Sequence, residues 1–402
     1  MNLFMASRAL GTTSLLLLLL LDMTVSPHFI FLRTEHPTIA LPTACILCGR
    51  PISFFCSSSI VWRMYAGFIC TPYRNKGGFS MCTALSLTAG GHLFGRTLDL
   101  EHSYGEAVVI APRRFPLRFC CQSTQARHHA IIGVAHIRDG TPLYYDAVNE
   151  HGLAIAALNF PHSAVYGTTE GENWLAPYEV IPFLLGRCTT AQQAAVLLGG
   201  LCIARHAFSA DLPCTPLHWL LADGQDCFVA EPRQDGVRIY RNPVRVLTNE
   251  PPFPRQLERL NDYLNLSALP AENRFSAGLN LTPCSRGMGA MGLPGDFSSQ
   301  SRFVRAAFVS QNARSYHTAD RGVARFFQLM ACLTVPRGSV RLPTGDVETI
   351  YTSCCDAAQG IYYYTCAENP SLSAVALHRA DLEWHTLFTH PLSLPLNIQW
   401  QN

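Results

Sequence analysis

The tightest constraint on this chain is a change of texture at Cys82. From there, Thr83-Ala84-Leu85-Ser86-Leu87 alternates apolar and polar residues, Ala89-Gly90-Gly91 supplies turn chemistry, and His92-Leu93-Phe94-Gly95-Arg96 resumes an extended pattern. A β-hairpin therefore begins at Cys82. Further strands are expected at Ala107–Ala111, Leu153–Leu158, Trp219–Ala222, Cys227–Glu231, Gly236–Tyr240, Ile361–Thr365 and Ala374–Leu377. Helices are expected at Tyr178–Leu185, Thr190–Leu201, Phe303–Ser310 and Ala324–Leu333, the second opened by Thr189 or Thr190 and closed by Gly199-Gly200. Strands mixed with helices imply layered sheets under helical cover.

Residues 1–80 read differently. Arg8 followed by the apolar run Leu15–Leu21 resembles a secretory signal peptide, and the run is too short to span a membrane. The stretch from Pro27 to Ser80 sustains neither a 3.6 nor a 2.0 period. Of the 30 basic residues only Lys76 is a lysine, a skew that points to a coding bias against A-rich codons. That single lysine lies in Asn75-Lys76-Gly77-Gly78, which a purine-rich ribosome-binding sequence can encode, two codons ahead of Met81. Two readings follow: translation starts at Met81, or a signal peptide and propeptide precede Cys82. The first makes the protein cytoplasmic and the second makes it secreted. Either way, 1–81 is an extension and 82–402 the working domain.

With a net charge of +2 and 14% charged residues, the chain has no basic stripe or acidic tail, so neither nucleic acid nor a membrane surface is an expected partner. A small molecule is. The sixteen cysteines lack the spacing of a disulfide framework and read as buried thiols. Cys45-Ile46-Leu47-Cys48 has no second pair or histidine at zinc-ligand spacing, so no metal is expected.

A small residue after Met81 permits removal of the methionine and leaves Cys82 with a free α-amine. Nucleophile and base then share one residue, because an α-amine titrates near ~8 and can accept the thiol proton at modest cost. The surroundings of Cys82 carry a resemblance. Met81-Cys82-Thr83-Ala84 with Phe94-Gly95-Arg96-Thr97-Leu98-Asp99, then Asn149–Leu153, Leu158–Pro161, Leu247–Pro251, Gly292–Phe297 through Ser301–Phe303, Tyr351–Cys354 and Gly360–Tyr364, resemble in order the blocks of the choloylglycine hydrolase family, which includes bile salt hydrolases and penicillin V acylases. The likeness covers 82–402 and none of 1–80.

The resemblance implies an α+β fold, a four-layer αββα sandwich of the N-terminal-nucleophile (Ntn) hydrolase type, preceded by a poorly structured extension. It puts the nucleophile on Cys82 and implies that Arg96 favours the thiolate, Asp99 accepts a hydrogen bond from the α-amine, Asn159 helps form the oxyanion hole, Asn249 positions amine and substrate, and Arg302 lies near the thiol. The plainer alternatives are a surface ion pair for Arg96, a turn cap for Asp99, a buried turn asparagine for Asn159, and a helix-to-sheet tie for Arg302. Asparagine at 159, where penicillin V acylases usually carry tyrosine, favours a glycine- or taurine-conjugated bile salt as substrate, with penicillin V the near alternative and a secreted, non-enzymatic binding protein the distant one. Leu98, Ile137 and Phe208 are the candidates for substrate contact. The resemblance implies no cofactor and suggests a homotetramer.

Overall fold

A computed structural model describes residues 52–54, 62–64, 81–88, 91–314, 319–392 and 395–402. Contacts divide the chain into two units, Met1–Arg74 and Asn75–Asn402. In the first, β1 (Ile52–Phe54) and β2 (Trp62–Met64) pair antiparallel, with Ile52 opposite Met64. The Leu15–Leu21 segment, the Cys45–Cys48 pair, Lys76 and the Ala89-Gly90 turn lie outside the described residues.

The second unit opens with β3 (Met81–Leu87), β4 (Leu93–Leu100), β5 (Ala107–Ala111), β6 (Ile131–Arg138), β7 (Thr141–Asn149), β8 (Ala154–Asn159), β9 (Trp174–Leu175) and β10 (Cys202–Ile203). It continues with β11 (Leu217–Ala222), β12 (Cys227–Arg233), β13 (Gly236–Arg241), β14 (Val246–Leu247), β15 (Val340–Leu342), β16 (Gly345–Asp356), β17 (Ile361–Cys366), β18 (Ser373–Ala376) and β19 (Phe388–Pro391). Two antiparallel sheets result. One runs β14-β3-β4-β16-β17-β18, with β15 paired to β16; the other runs β13-β12-β11-β8-β7-β6-β5-β19.

Helices cover the outer face of each sheet. Val180–Leu185 and Ala191–Gly199 pack on the eight-stranded sheet, while Ser299–Asn312 and Ala319–Ala331 pack on the other. This is the expected αββα order. β5 shows why its sequence is apolar throughout: Val108 and Ile110 join the core between the sheets, and Ala107, Val109 and Ala111 join the core beneath the helices. Burying an aliphatic side chain contributes ~1.5–3 kcal/mol, so a strand covered on both faces gains at every position.

Most expected elements occur with shifted ends. Thr190 caps its helix by accepting from the Gln193 N–H, and Gly200 closes it. The helix expected from Phe303 begins at Ser299, because Ser298 accepts from the Ser301 N–H and Asp296 accepts from both Ser298 N–H and the Ser301 hydroxyl. This earlier start puts Arg302 within the first turn. Strands β6, β7 and β16 and the helix Phe253–Arg259 were not expected from the pattern. No helix of the described residues is long and apolar enough to cross a membrane.

Candidate active site

Period-two alternation sends successive side chains of β3 to opposite faces. Cys82 and Ala84, opposite Leu98 and Arg96 on β4, face the second sheet; Thr83, opposite Thr97, faces the helix Ser299–Asn312. The nucleophile candidate thus lies at the start of β3, between β14 and β4, with one layer of functional groups on each side.

Cys82 is 1% exposed. Its backbone N–H donates to Asn249 Oδ1 at 3.0 Å, and its carbonyl accepts from Arg302 Nη1. The buried Arg302 guanidinium also donates to Thr83 Oγ1 at 2.6 Å, Asn249 Oδ1 at 2.7 Å and the Phe297 carbonyl at 3.0 Å. Burial draws its pKa down, opposed by the charges of Asp99 and Cys82. Asn249 is pinned from several directions: Nδ2 donates to the Asn159 carbonyl at 2.9 Å, its own N–H donates to Ser299 Oγ at 2.8 Å, and its carbonyl accepts from Gln256 Nε2 at 2.6 Å.

On the side facing the second sheet, the Arg96 guanidinium donates to the carbonyls of Ala157 at 2.6 Å, Tyr145 at 3.0 Å and Thr97 at 3.2 Å. Burial alone would depress its pKa, but Cys82, Tyr351, Asp146 and Asp99 together raise it, so the charge is held firmly. Arg96 is fully buried, not a surface ion pair. Asp99 is buried too, directly across from Met81, and accepts from Thr349 Oγ1 at 2.6 Å and Thr97 Oγ1 at 3.2 Å. Burial lifts its carboxyl to about 6, against the pull of Arg302, Thr349, Arg96 and Thr97.

Asn159 ends β8 and is 5% exposed; its buried Oδ1 accepts no hydrogen bond within the protein. That oxygen is an acceptor, so the capacity it leaves is for a donor from a ligand or water. Cys82, Arg96, Asp99, Asn249, Arg302 and Asn159 are therefore brought together. Leu98 stands beside Cys82 in register and shares its face. Ile137 packs instead with the core beneath the helices, and Phe208 meets Tyr178 edge-on at 5.3 Å.

Sequence reasoning missed three groups. Asp146 is a buried carboxylate that accepts from the hydroxyls of Tyr351, Tyr362 and Ser353. His218 stacks on Phe160 at 4.2 Å and donates through Nε2 to the Thr248 carbonyl at 2.8 Å, tying the residue after Asn159 to the residue before Asn249. Glu250 accepts from His162 N–H, Ser163 N–H and Ser163 Oγ, joining the same two loops. The only available signal was a polar side chain inside a mostly apolar strand, as with His218 in β11.

Among the described residues, His129, Glu150 and His151 bring potential metal-ligand atoms within 4.8 Å. The Glu150 oxygens already accept from Arg113 and from the Ala130 N–H.

Residues 82–390 match the linear amide C–N hydrolases of the choloylglycine hydrolase family. The chain belongs to this family. A bile salt hydrolase/transferase of Lactiplantibacillus plantarum is 42% identical over 314 residues, 78% of this chain and 97% of the relative. A conjugated bile acid hydrolase of Lactobacillus gasseri is 33% identical over 77% of this chain and 100% of the relative. The crystal structure of a variant conjugated bile acid hydrolase from Clostridium perfringens matches with a TM-score of 0.74 at 30% identity, covering 80% of this chain and 100% of that one. A penicillin V acylase from Agrobacterium tumefaciens shares the Ntn-hydrolase fold, with a TM-score of 0.61 at 20% identity over 77% and 90% of the two chains. As a choloylglycine hydrolase family member, the chain is a hydrolase of linear amide C–N bonds.

Proposed function

We propose that this chain hydrolyses the amide bond of glycine- or taurine-conjugated bile salts, with Cys82 as nucleophile and its own α-amine as base. The observation that carries the substrate is the 42% identity to a bile salt hydrolase/transferase along nearly all of that protein.

In the proposed reaction the Cys82 thiol gives its proton to the α-amine, and the thiolate attacks the amide carbonyl carbon. Arg96 favours the thiolate by charge. The tetrahedral oxyanion is held by the Asn159 side-chain N–H, the kind of donor whose loss typically costs ~10²–10³ in rate. Asn249 aims the α-nitrogen through Oδ1, and Arg302 holds Asn249 and the Cys82 carbonyl. The C–N bond breaks as the ammonium returns its proton to the leaving glycine or taurine. Water then attacks the thioester and frees the bile acid and Cys82. Leu98 and Phe208 are proposed as apolar contacts for the steroid; Ile137, packed beneath the helices, is not. The reaction needs no cofactor.

With Met81 attached, the Cys82 nitrogen is a peptide N–H and has no basic lone pair. The active form therefore begins at Cys82, and residues 1–81 are not part of it. A start at Met81 makes the enzyme cytoplasmic, whereas a signal at Leu15–Leu21 exports it. We expect a homotetramer, which sedimentation would check.

Intact-mass measurement of the protein from its native host tests the reading, beside turnover of glycocholate, taurocholate and penicillin V. A first residue other than Cys82 sinks the mechanism. Preferred turnover of penicillin V sinks the substrate assignment.

A further inference from the structure

Two charges cross the space between the sheets in opposite directions. Arg96 leaves β4 and reaches the Tyr145 and Ala157 carbonyls on β7 and β8; Asp146 leaves β7 and meets Tyr351, Ser353 and Tyr362 on β16 and β17. Both are fully buried. A carboxylate in such a place is costly unless it is hydrogen-bonded and near a positive charge.

A local irregularity creates the arrangement. The β6–β7 register slips, so that Val134 faces Asp146 while Ala135 faces Tyr144, leaving Tyr145 as the extra residue. Such a bulge removes a residue from the ladder and reverses the alternation beyond it. Two consequences follow. The Tyr145 carbonyl becomes available to Arg96, and Asp146 turns toward the other sheet although Tyr144, two residues earlier, packs with Ala147 beneath the helices. Gly95 and Gly133 allow the close approach: a Cβ on Gly95 would stand 1.9 Å from the Ser353 carbonyl oxygen, and one on Gly133 2.1 Å from that of Asp146. Ser353 Oγ also accepts from the Arg96 N–H at 3.1 Å, linking the two charged residues through one hydroxyl.

We infer that Asp146 is a positioning residue that sets, by opposing charge on Arg96, how strongly Arg96 favours the Cys82 thiolate. The inference rests on the assignment of Cys82 as nucleophile. The groups acting on Arg96 are Cys82 from β3, Asp99 from its own strand, Asp146 and Tyr145 from β7, and Tyr351 from β16. Behind them stand Arg302, which faces Cys82 and Asp99, Glu106, which faces Tyr145, and Tyr362 and Cys355, which face Asp146. Asp146 and Asp99 therefore counter Arg96 and Arg302. Removing one negative charge leaves the thiolate as the missing counter-charge.

The test is the kcat/KM–pH profile of the purified active protein, wild type against Asp146→Asn. The substitution keeps the shape and an acceptor oxygen for the tyrosines while deleting the charge. We expect the acid limb to move ~1 pH unit lower, in the range produced by a unit charge a few ångströms away. Maximal kcat should also fall, because a thiolate formed more readily is a weaker nucleophile. An acid limb that stays in place, or moves up, overturns the inference even if the melting temperature drops. If Asp146→Asn does not fold, the pair Tyr351→Phe and Tyr362→Phe strips two donors from the carboxylate at nearly constant volume. This favours neutral Asp146 and should move the limb in the same direction; an unmoved limb is again fatal. Cys82→Ser, assayed alongside, separates the two ideas: turnover retained there defeats the nucleophile assignment, whatever Asp146 does.

Discussion

Asn249 Oδ1 accepts a hydrogen bond from the Cys82 nitrogen at 3.0 Å across 167 residues of chain. The same oxygen accepts from Arg302 Nη2 at 2.7 Å, so it is fixed before any substrate arrives. Asn249→Ala removes the acceptor and strands a buried guanidinium N–H. Turnover should fall ~10²-fold or more, the size expected when a reacting group loses its alignment. Steady-state kinetics checks this, and a loss confined to KM would contradict a role in aiming the nitrogen.

Cys82→Ser retains the shape of the nucleophile but substitutes a far less acidic hydroxyl. Hydrolysis of glycocholate and taurocholate should drop to background while the circular dichroism spectrum and melting temperature stay close to wild type. Measurable turnover in this variant would mean that another group attacks.

Asp99 links the site to stability through pH. Its folded carboxyl titrates at about 6 against an ordinary 3.8, chiefly through burial. The folded state therefore binds this proton more tightly than the unfolded chain does. The ionised group is a liability fully present above the folded value, relieved as pH falls through 6, and absent as a difference below 3.8. Two pKa units correspond to about 3 kcal/mol at most. Asp99→Asn should thus be more favourable relative to wild type at pH 8 than at pH 4.5, as read by urea unfolding at both values. A stability difference that does not depend on pH would argue against a strained carboxylate.

Gly95 precedes Arg96 where β16 presses on β4. Because an added Cβ would stand 1.9 Å from a backbone oxygen, Gly95→Ala has no side chain to push aside. We expect a loss of about 3 kcal/mol or more in unfolding free energy, at the upper end for overpacking. Gly236→Ala meets no atom within 4 Å and serves as the contrast, though its φ of +115° adds backbone strain of its own. Thermal melts of the two variants would rank them.

Much of the architecture was legible along the chain. Strand β5 matches its expected bounds because it is apolar at every position, with Glu106 before it and Pro112-Arg113-Arg114 after it. The helix at Ala191 was legible because Thr190 and Gly200 mark its ends. By contrast, β7 mixes Pro142, three aromatic or charged residues and a bulge, so its period is broken in mid-strand. The helix carrying Arg302 starts earlier than its apolar pattern, since Ser298 and Asp296, which open it, sit in a stretch that reads as loop.

The six proposed site residues were named from ordered motifs, and the fold then showed how they meet. Leu98 lies opposite Cys82 in register, which is the geometry behind its proposed contact with the steroid. Ile137 packs elsewhere: its strand presents it to the core beneath the helices, a matter of which face of β6 points outward.

What the sequence determined by itself was local or motif-borne: a strand opening beside Cys82, the alternation that separates its two faces, and the chemistry available to a cysteine that can become a first residue. What only the tertiary structure decided was the electrostatic company of that cysteine. Asp146 is 64 residues from Cys82, Asn249 is 167 and Arg302 is 220. Their effect on the thiol depends on a one-residue slip in β7, on the glycines that let strands touch, and on burial that strips away solvent screening. Such distances and dielectric conditions are properties of packing, and no local pattern encodes them.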